Sequence, residues 1–382
     1  MCAIDLRPVN IVLGMGFRLF CRNINEDYKV PSATTVQKYI GLEYDNVKEA
    51  VIKSLKGQHV SLTTDMWTSA ANHGYITLTC HYITEDWQLK NNVLATRELK
   101  ERHTGVNIAQ CIGDLKDEFG LGSVTCIVTD NASNMNVAAL ESGISRVSCF
   151  SHSLQLAIND GLKQNEIAKT ISVARKLVGH FNHSTLATNA LRDYQVKMGA
   201  KQPLKVMQDV ITRWNSSYHM MQRLLDLRTA IYAVVHDDNI TKPSERTMLD
   251  IRERYWDIMQ EVSPVLRPLA EATQLLTKDT EPTSGFVYKI LHSLLPYLQT
   301  IGNDSAPVAE MKIRIRDSIM RRFSVNETGE PDESVLRSML CMSAALDPRS
   351  KSLSFMRSEK QDTLKGYLKE LLQEDHQHDA HS

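Results

Sequence analysis

A mixed α/β region followed by an all-helical remainder is the fold class this sequence predicts, and three observations predict it. Period-two alternation of apolar and polar residues recurs through the first third of the chain. After about residue 165 that alternation stops and apolar residues recur near a 3.6 period instead. The composition is that of an ordinary globular protein, with 382 residues, 42% hydrophobic and 23% charged. It excludes a disordered tail, a disulfide miniprotein and a membrane protein, since no stretch approaches about 20 uninterrupted apolar residues. The net charge of −1 makes the chain as a whole no obvious polyanion binder. Seven cysteines, none spaced as Cys-x-x-Cys, favour a reducing compartment over a disulfide framework. The apolar run from Val9 to Phe20 is interrupted by Asn10 and Arg18, preceded by Asp5, and lacks a small-residue cleavage site, so it does not read as a secretory signal.

In chain order, the first strand is expected around His59–Asp65, where Val60 and Leu62 alternate with Ser61 and Thr63. Tyr75–Ile83 is the clearest strand, and Asn72-His-Gly74 marks the turn that pairs it with the first as a hairpin. Asn91–Leu99 gives a third strand. Thr104–Phe119 has helical spacing through Val106, Ile108, Ile112 and Leu115, with Gly120 as its stop. A short buried strand, Val124–Thr129, ends at Asp130, and Arg146–Phe150 is the last strand, running into a helix. The order β-β-β-α-β-α-β-α predicts a mixed sheet with helices on its faces.

Beyond residue 165, helices are expected through Leu224–Val235, Tyr255–Thr273, Phe286–Leu298 and Met311–Phe323. Pro264 and Pro268 should kink the second of these or split it in two. Residues 237–244, 302–307 and the acidic 326–333 read as loops, the last of them solvated.

Asp65 and Asp130 are the sharpest chemical feature. Each ends a short apolar strand and follows a threonine, and if the first and fourth strands are adjacent and parallel both carboxylates emerge at one end. Carboxylates so placed, with a third from elsewhere, are what two divalent metals need for phosphoryl transfer. The alternative is ordinary turn and helix-cap chemistry, for which Asp130-Asn-Ala-Ser is well suited. Cys149 and His152 form a Cys-x-x-His pair, but a structural zinc needs four ligands; His180 and His183 read as loop residues rather than partners. Arg213-Trp214 precedes a strong helix with Asn215 or Ser216 as its cap, and the indole serves either as a core anchor or as a stacking platform for an unpaired base. From Ser142 to Arg223 there are eleven basic residues against four acidic ones, a local surplus that suits phosphate contact or a solvated helix face.

Taken together, Ser61-Leu-Thr-Thr-Asp-Met-Trp-Thr-Ser69, Thr129-Asp-Asn-Ala-Ser-Asn-Met135, Cys149-Phe-Ser-His152 followed by Leu154-Gln-Leu156, and Thr212-Arg-Trp-Asn-Ser-Ser217 resemble the ordered motifs of hAT-family transposases, closest to the zinc-finger BED domain-containing, transposase-derived proteins. Leu266–Thr273, Glu281-Pro-Thr283 and Ala345-Leu-Asp-Pro-Arg349 resemble them too, so the similarity runs through nearly the whole chain in order. The resemblance implies a ribonuclease H-like mixed sheet domain interrupted by a large helical insertion domain. On it the chain divides into a mostly helical segment over 1–57, the first part of the ribonuclease H-like domain over 58–165, the insertion over 166–340, and a segment over 341–382 that ends before the family's dimerisation motif.

By the same resemblance Asp65 and Asp130 match the first two members of an acidic metal triad with Mg²⁺ as its cofactor. Cys149 and His152 form a motif beside that site, and Arg213 and Trp214 handle nucleic acid. The third acid, expected in a Ser-x-Glu-Arg-type motif, is not found before Ser382. The expectation is therefore a catalytically inactive, domesticated or incomplete transposase-like protein of the nucleus. Its expected partners are DNA or chromatin proteins, with a role in transcription regulation, and without a membrane or a small-molecule substrate. Zinc is expected only if a BED finger exists in a longer form, and a homo-oligomer only through the missing C-terminal segment. The alternative is a fragment of an active cut-and-paste transposase.

Overall fold

The structure, a computed structural model, describes residues 4–278 and 281–379. The chain divides into two compact units, Met1–Val147 and Ser148–Ser382. Cys2 lies outside the described residues, and the other six cysteines are free thiols.

The first unit begins with two helices, α1 (Met15–Ile24) and α2 (Ala33–Leu55). Ser32 opens α2 by accepting the Thr35 N–H at 3.1 Å, one of the donors a helix start leaves unpaired. Three strands follow, β1 (His59–Thr68), β2 (Gly74–Ile83) and β3 (Leu89–Glu98), then α3 (Gly105–Glu118), β4 (Ser123–Thr129), α4 (Ser133–Glu141) and the short β5 (Arg146–Ser148). The sheet order is β3-β2-β1-β4-β5. β1 pairs antiparallel with β2, and β2 with β3, whereas β1 and β4 are parallel. The sheet is mixed, as the order of strands and helices led one to expect; β1, however, does not end at Asp65 but runs on to Thr68, because its ladder with β2 continues through Trp67 and Thr68.

One face of this sheet carries Leu62, Ile76, Leu78 and Ile127, each fully buried, against Ile108, Ile112 and Leu115 of α3 and Met135 of α4. Burying such side chains stabilises by about 1.5–3 kcal/mol each, which is why Leu62, Ile76, Leu78 and Ile127 all face this layer. Thr104 caps α3 by accepting the Asn107 N–H, and Gly120 ends it with φ of +61°, a left-handed conformation that suits glycine. Glu118 ties α2 to the sheet, accepting from Lys48 at 2.6 Å and pairing with Arg97.

The second unit is helical: α5 (Phe150–Leu162), α6 (Asn165–His183), α7 (Thr185–Lys197), α8 (Trp214–Val235), α9 (Pro243–Leu249), α10 (Glu253–Leu276), α11 (Val287–Leu294), α12 (Ala306–Phe323), α13 (Met339–Leu346) and α14 (Ser358–Asp379). One core runs through it, with Leu154, Ile167, Met220, Leu224, Met259, Leu266, Met311 and Ile315 among its buried members. α5 and α12 approach so closely that a Cβ at Gly161 would lie 2.3 Å from Ile315 Cγ1 and 2.9 Å from the Met311 carbonyl oxygen. Gly161→Ala is therefore expected to destabilise the unit by about 1–3 kcal/mol, read as a lower urea midpoint with an unchanged slope.

Four local expectations are corrected. Of the kink or split expected at Pro264 and Pro268, the split does not occur: α10 runs as one helix with both inside it, its buried stripe through Met259, Val262, Leu266 and Leu269 continuous across both prolines. His180 and His183 stand in the last turn of α6 and not in a loop. Residues 243–244 and 306–307, read as loop ends, already belong to α9 and α12. The acidic 326–333 stretch is not wholly solvated, for Glu330 is 2% exposed. Its carboxylate accepts from the Arg357 backbone N–H at 2.7 Å and from Asn326 Nδ2 at 3.1 Å, with Lys360 Nζ at 3.5 Å. Burial opposes its ionisation, yet these donors hold its carboxyl below the usual glutamate range.

Candidate functional site

The parallel register of β1 and β4 positions the two aspartates. It pairs Leu62 with Ile127 and Thr63 with Val128, after a shift between Val60 and Ser61. Asp65 and Asp130 each stand two residues beyond Thr63 and Val128, so they reach the same end of the sheet on adjacent strands. Alternation also gives them one face: Ser61, Thr63 and Asp65 lie opposite the buried Leu62 and Thr64, and Cys126, Val128 and Asp130 lie opposite Ile127 and Thr129. Cys126 Sγ meets Ser61 Oγ at 3.6 Å on that face.

Each carboxylate is held by the backbone that follows it. Asp65 Oδ1 accepts the Met66 N–H at 2.9 Å, and Asp130 Oδ1 accepts the Ala132 N–H at 3.0 Å. Asp130 thus shapes the turn before α4, whose cap is Ala132 without a side-chain hydrogen bond. Arg146 braces this turn, donating from Nε to Thr129 Oγ1 at 2.7 Å and from its guanidinium to the Asp130 carbonyl at 2.5 Å and Asn131 Oδ1 at 3.1 Å. Burial pulls the Arg146 pKa down, partly opposed by the charge of Asp130. Asp130 also lines a cavity of about 150 Å³ with Trp67, Thr68, His103 and Asn134. His103 and Arg146 belong to this site and were not visible in the motifs, because no strand-end pattern marks them.

Among the described residues Asp65 and Asp130 put two carboxylates on one face, each with one oxygen held by a backbone N–H, a donor set whose chemistry would suit a single Mg²⁺ that keeps most of its waters. No group of three or more His, Cys, Asp or Glu side chains is gathered for a metal among the described residues. A Mn²⁺ titration followed by water-proton relaxation is accordingly expected to show one weak site that Asp65→Ala abolishes.

The remaining residues singled out by the sequence lie in the second unit. Cys149 directly precedes α5, His152 is in its first turn, and both are half-buried. Trp214 is the first residue of α8 and is 2% exposed within the helical core, whereas Arg213 beside it is exposed. Neither Asn215 nor Ser216 caps α8, whose N-cap is Arg213 without a side-chain bond. Ser216 Oγ instead accepts the Val210 N–H at 2.8 Å and lies 2.6 Å from the Arg213 carbonyl. The segment that leads to Arg213 is anchored at Asp209, whose side chain is wholly buried. Its carboxylate accepts from Arg175 Nε and Nη2 at 2.7–3.0 Å and from Ser217 Oγ at 2.6 Å.

A mixed five-stranded sheet, with Asp65 inside β1 and Asp130 just past the end of the adjacent parallel β4, in a chain that continues as helices, is of the ribonuclease-like class of folds. Comparison with known sequences agrees: residues 63–155 match the ZBED1 RNase-like domain, and residues 147–263 match the ZBED1 RNase-like helical domain. The human zinc finger BED domain-containing protein 6 is 28% identical over 369 residues, covering 90% of this chain and 36% of that protein. The putative AC transposase of Zea mays is 24% identical over 365 residues, covering 91% and 43%. A putative transcriptional regulator, tpeD, of Talaromyces stipitatus is 22% identical over 311 residues, covering 71% and 36%. The chain thus spans well under half the length of these relatives. It belongs to the hAT family of transposases and transposase-derived proteins.

Proposed function

We propose that this chain is a transposase-derived nuclear protein that binds DNA without cutting it and serves in transcription regulation. On this reading the helices over 166–340 are an insertion that interrupts a ribonuclease H-like domain. The observation that carries the DNA reading is the state of the basic surplus between Arg146 and Arg223. Lys163, Lys169, Arg175 and Arg192 are matched to carboxylates. Lys176, Lys197, Lys201, Lys205, Arg213 and Arg223 have no carboxylate within ion-pair distance among the described residues. Cations left unmatched in a chain of net charge −1 give a local positive field suited to a phosphate backbone. The relatives support it: their names are those of BED zinc finger proteins, transposases and a putative transcriptional regulator.

The silent reading of the acidic pair is supported by the two carboxylates without a third gathered beside them among the described residues. Incubation of supercoiled DNA with the protein and Mg²⁺ or Mn²⁺ is expected to leave it intact. Metal-dependent nicking that disappears in Asp65→Ala would establish the alternative, a part of an active cut-and-paste transposase. Duplex binding itself is expected near micromolar affinity or weaker, indifferent to sequence. Its log Kobs should fall with log salt at a slope of about −3 to −5, measured by fluorescence anisotropy. A complex that persists in high salt and prefers one sequence would overturn the reading, since it requires base-edge contacts.

A further inference from the structure

One of the unmatched cations, Lys205, stands at a groove. Between the end of α6, the first turns of α7 and the irregular segment over residues 203–206 lies a cavity of about 300 Å³, close to the size of one nucleotide unit. Its floor is apolar, from Leu191, Pro203, Leu204 and Val206. Its rim is formed by Asn182, Asn189, Arg192 and Lys205, and no carboxylate lines it.

The wall carrying Lys205 is fixed from behind. Gln195, 7% exposed, receives the Leu204 N–H on Oε1 at 2.8 Å and donates from Nε2 to the Leu204 carbonyl at 2.9 Å, as a neighbouring strand would. Arg223 donates to the Lys205 carbonyl at 2.8 Å. Lys205 therefore projects from a held backbone while its own ammonium has no partner among the described residues. Among the described residues Arg192 meets only Asp193, and both are exposed, so a phosphate can exchange for that weak pairing. The Asn182 and Asn189 amides have no partner among the described residues, which leaves two neutral donors on the same rim.

We propose that this groove seats one nucleotide unit of a DNA strand, its phosphate against Lys205, Arg192 and Asn189, and its deoxyribose on Leu191, Pro203 and Leu204. The assignment rests on the DNA-binding reading above and locates it. A free nucleotide carries the same chemistry, and the experiment separates the two sources.

Anisotropy titrations with a random-sequence duplex compare the wild type with Lys205→Glu, Asn189→Asp and a control, Lys169→Glu. Lys169 lies in the same basic stretch, but is thirteen residues, about 20 Å, from Asn182 along α6. It makes the same change in total charge as the Lys205 variant. Lys205→Glu is expected to weaken binding at least fivefold and to make the salt slope shallower by about one, and Asn189→Asp to weaken it at least threefold. Lys169→Glu should change affinity less than twofold, and thermal melts of all three should match the wild type, because the substituted side chains are exposed. Displacement of the duplex by thymidine monophosphate should need millimolar concentrations. Wild-type duplex binding with undiminished affinity in Lys205→Glu and Asn189→Asp overturns the groove and leaves the DNA reading standing. No duplex binding by the wild type at low salt overturns both. Displacement by micromolar thymidine monophosphate overturns the strand in favour of a free nucleotide.

Discussion

Trp214→Ala is expected to cost the second unit about 3–5 kcal/mol of stability, enough to lower its melting temperature by several degrees or to leave it largely unfolded at 37 °C. The indole is 2% exposed and belongs to a continuous helical core with Phe181, Met221 and Leu224, so truncation leaves a cavity bounded by close-packed neighbours. A native domain is stable by only about 5–15 kcal/mol, so this single side chain carries a large share of the margin. A ring so placed has no free face for a base. Binding of a hairpin-ended duplex should then fall in Trp214→Ala only as far as the folded fraction falls, and Trp214→Phe should recover much of both. The decisive measurement is a melting curve paired with that titration. A variant of wild-type stability that has lost hairpin binding would assign the indole to stacking, with a loss of about 1–3 kcal/mol in binding.

The depth of Trp214 is a good example of what the sequence conveys and what it withholds. The sequence placed a tryptophan at the start of a strong helix, but two faces were open to it, and only packing against helices distant in sequence decides between them. The strands were legible because their signal is local. Val60 and Leu62 alternate with Ser61 and Thr63, and the same alternation reappears as burial. The parallel pairing of β1 with β4 was legible too, since a β-β-β-α-β order lets the first and fourth strands lie side by side, although β1 runs three residues past Asp65. The register shift between Val60 and Ser61 left no mark, because a bulge answers to the partner strand. Arg146 looked like one more basic residue, and its bracing of the Asp130 turn depends on β5 lying beside β4. The acidic loop misled for the same reason: the donors that bury Glu330 sit 27 and 30 residues away, at Arg357 and Lys360. The split that the prolines allowed within α10 does not occur, because a continuous buried stripe holds the helix together across them.

Asp209→Ala is expected to be as damaging as the loss of the indole, for an electrostatic reason. The Asp209 carboxylate is wholly buried and is the acceptor for the Arg175 guanidinium and the Ser217 hydroxyl, with Gln208 Nε2 at 3.0 Å. Burial alone would push its pKa up, but the hydrogen bonds from Arg175 and Ser217 outweigh that and hold it below the usual aspartate range. Removing the carboxylate leaves a two-thirds buried guanidinium and a buried hydroxyl without their acceptor, a loss of about 3–5 kcal/mol in comparable buried pairs. Arg175→Met should be of similar severity, because it strands the carboxylate. The double variant should cost less than the sum of the two, since neither orphaned charge then remains, and a double-mutant cycle in urea measures the difference. The pH dependence has a definite sign. A carboxyl whose folded pKa is depressed contributes its stability above the unfolded value of about 3.9, and loses it as pH falls through the folded value. Between about pH 5 and pH 2 the wild type should therefore lose stability more steeply than Asp209→Asn, whose amide does not titrate. Asp209 also anchors the segment that delivers Arg213 to the start of α8. Asp209→Asn, milder in stability, should thus loosen residues 203–213, seen as faster amide exchange there and at the Ser216 contact to Val210. Parallel acid-unfolding curves for wild type and Asp209→Asn would place the buried pair elsewhere in the stability of the protein.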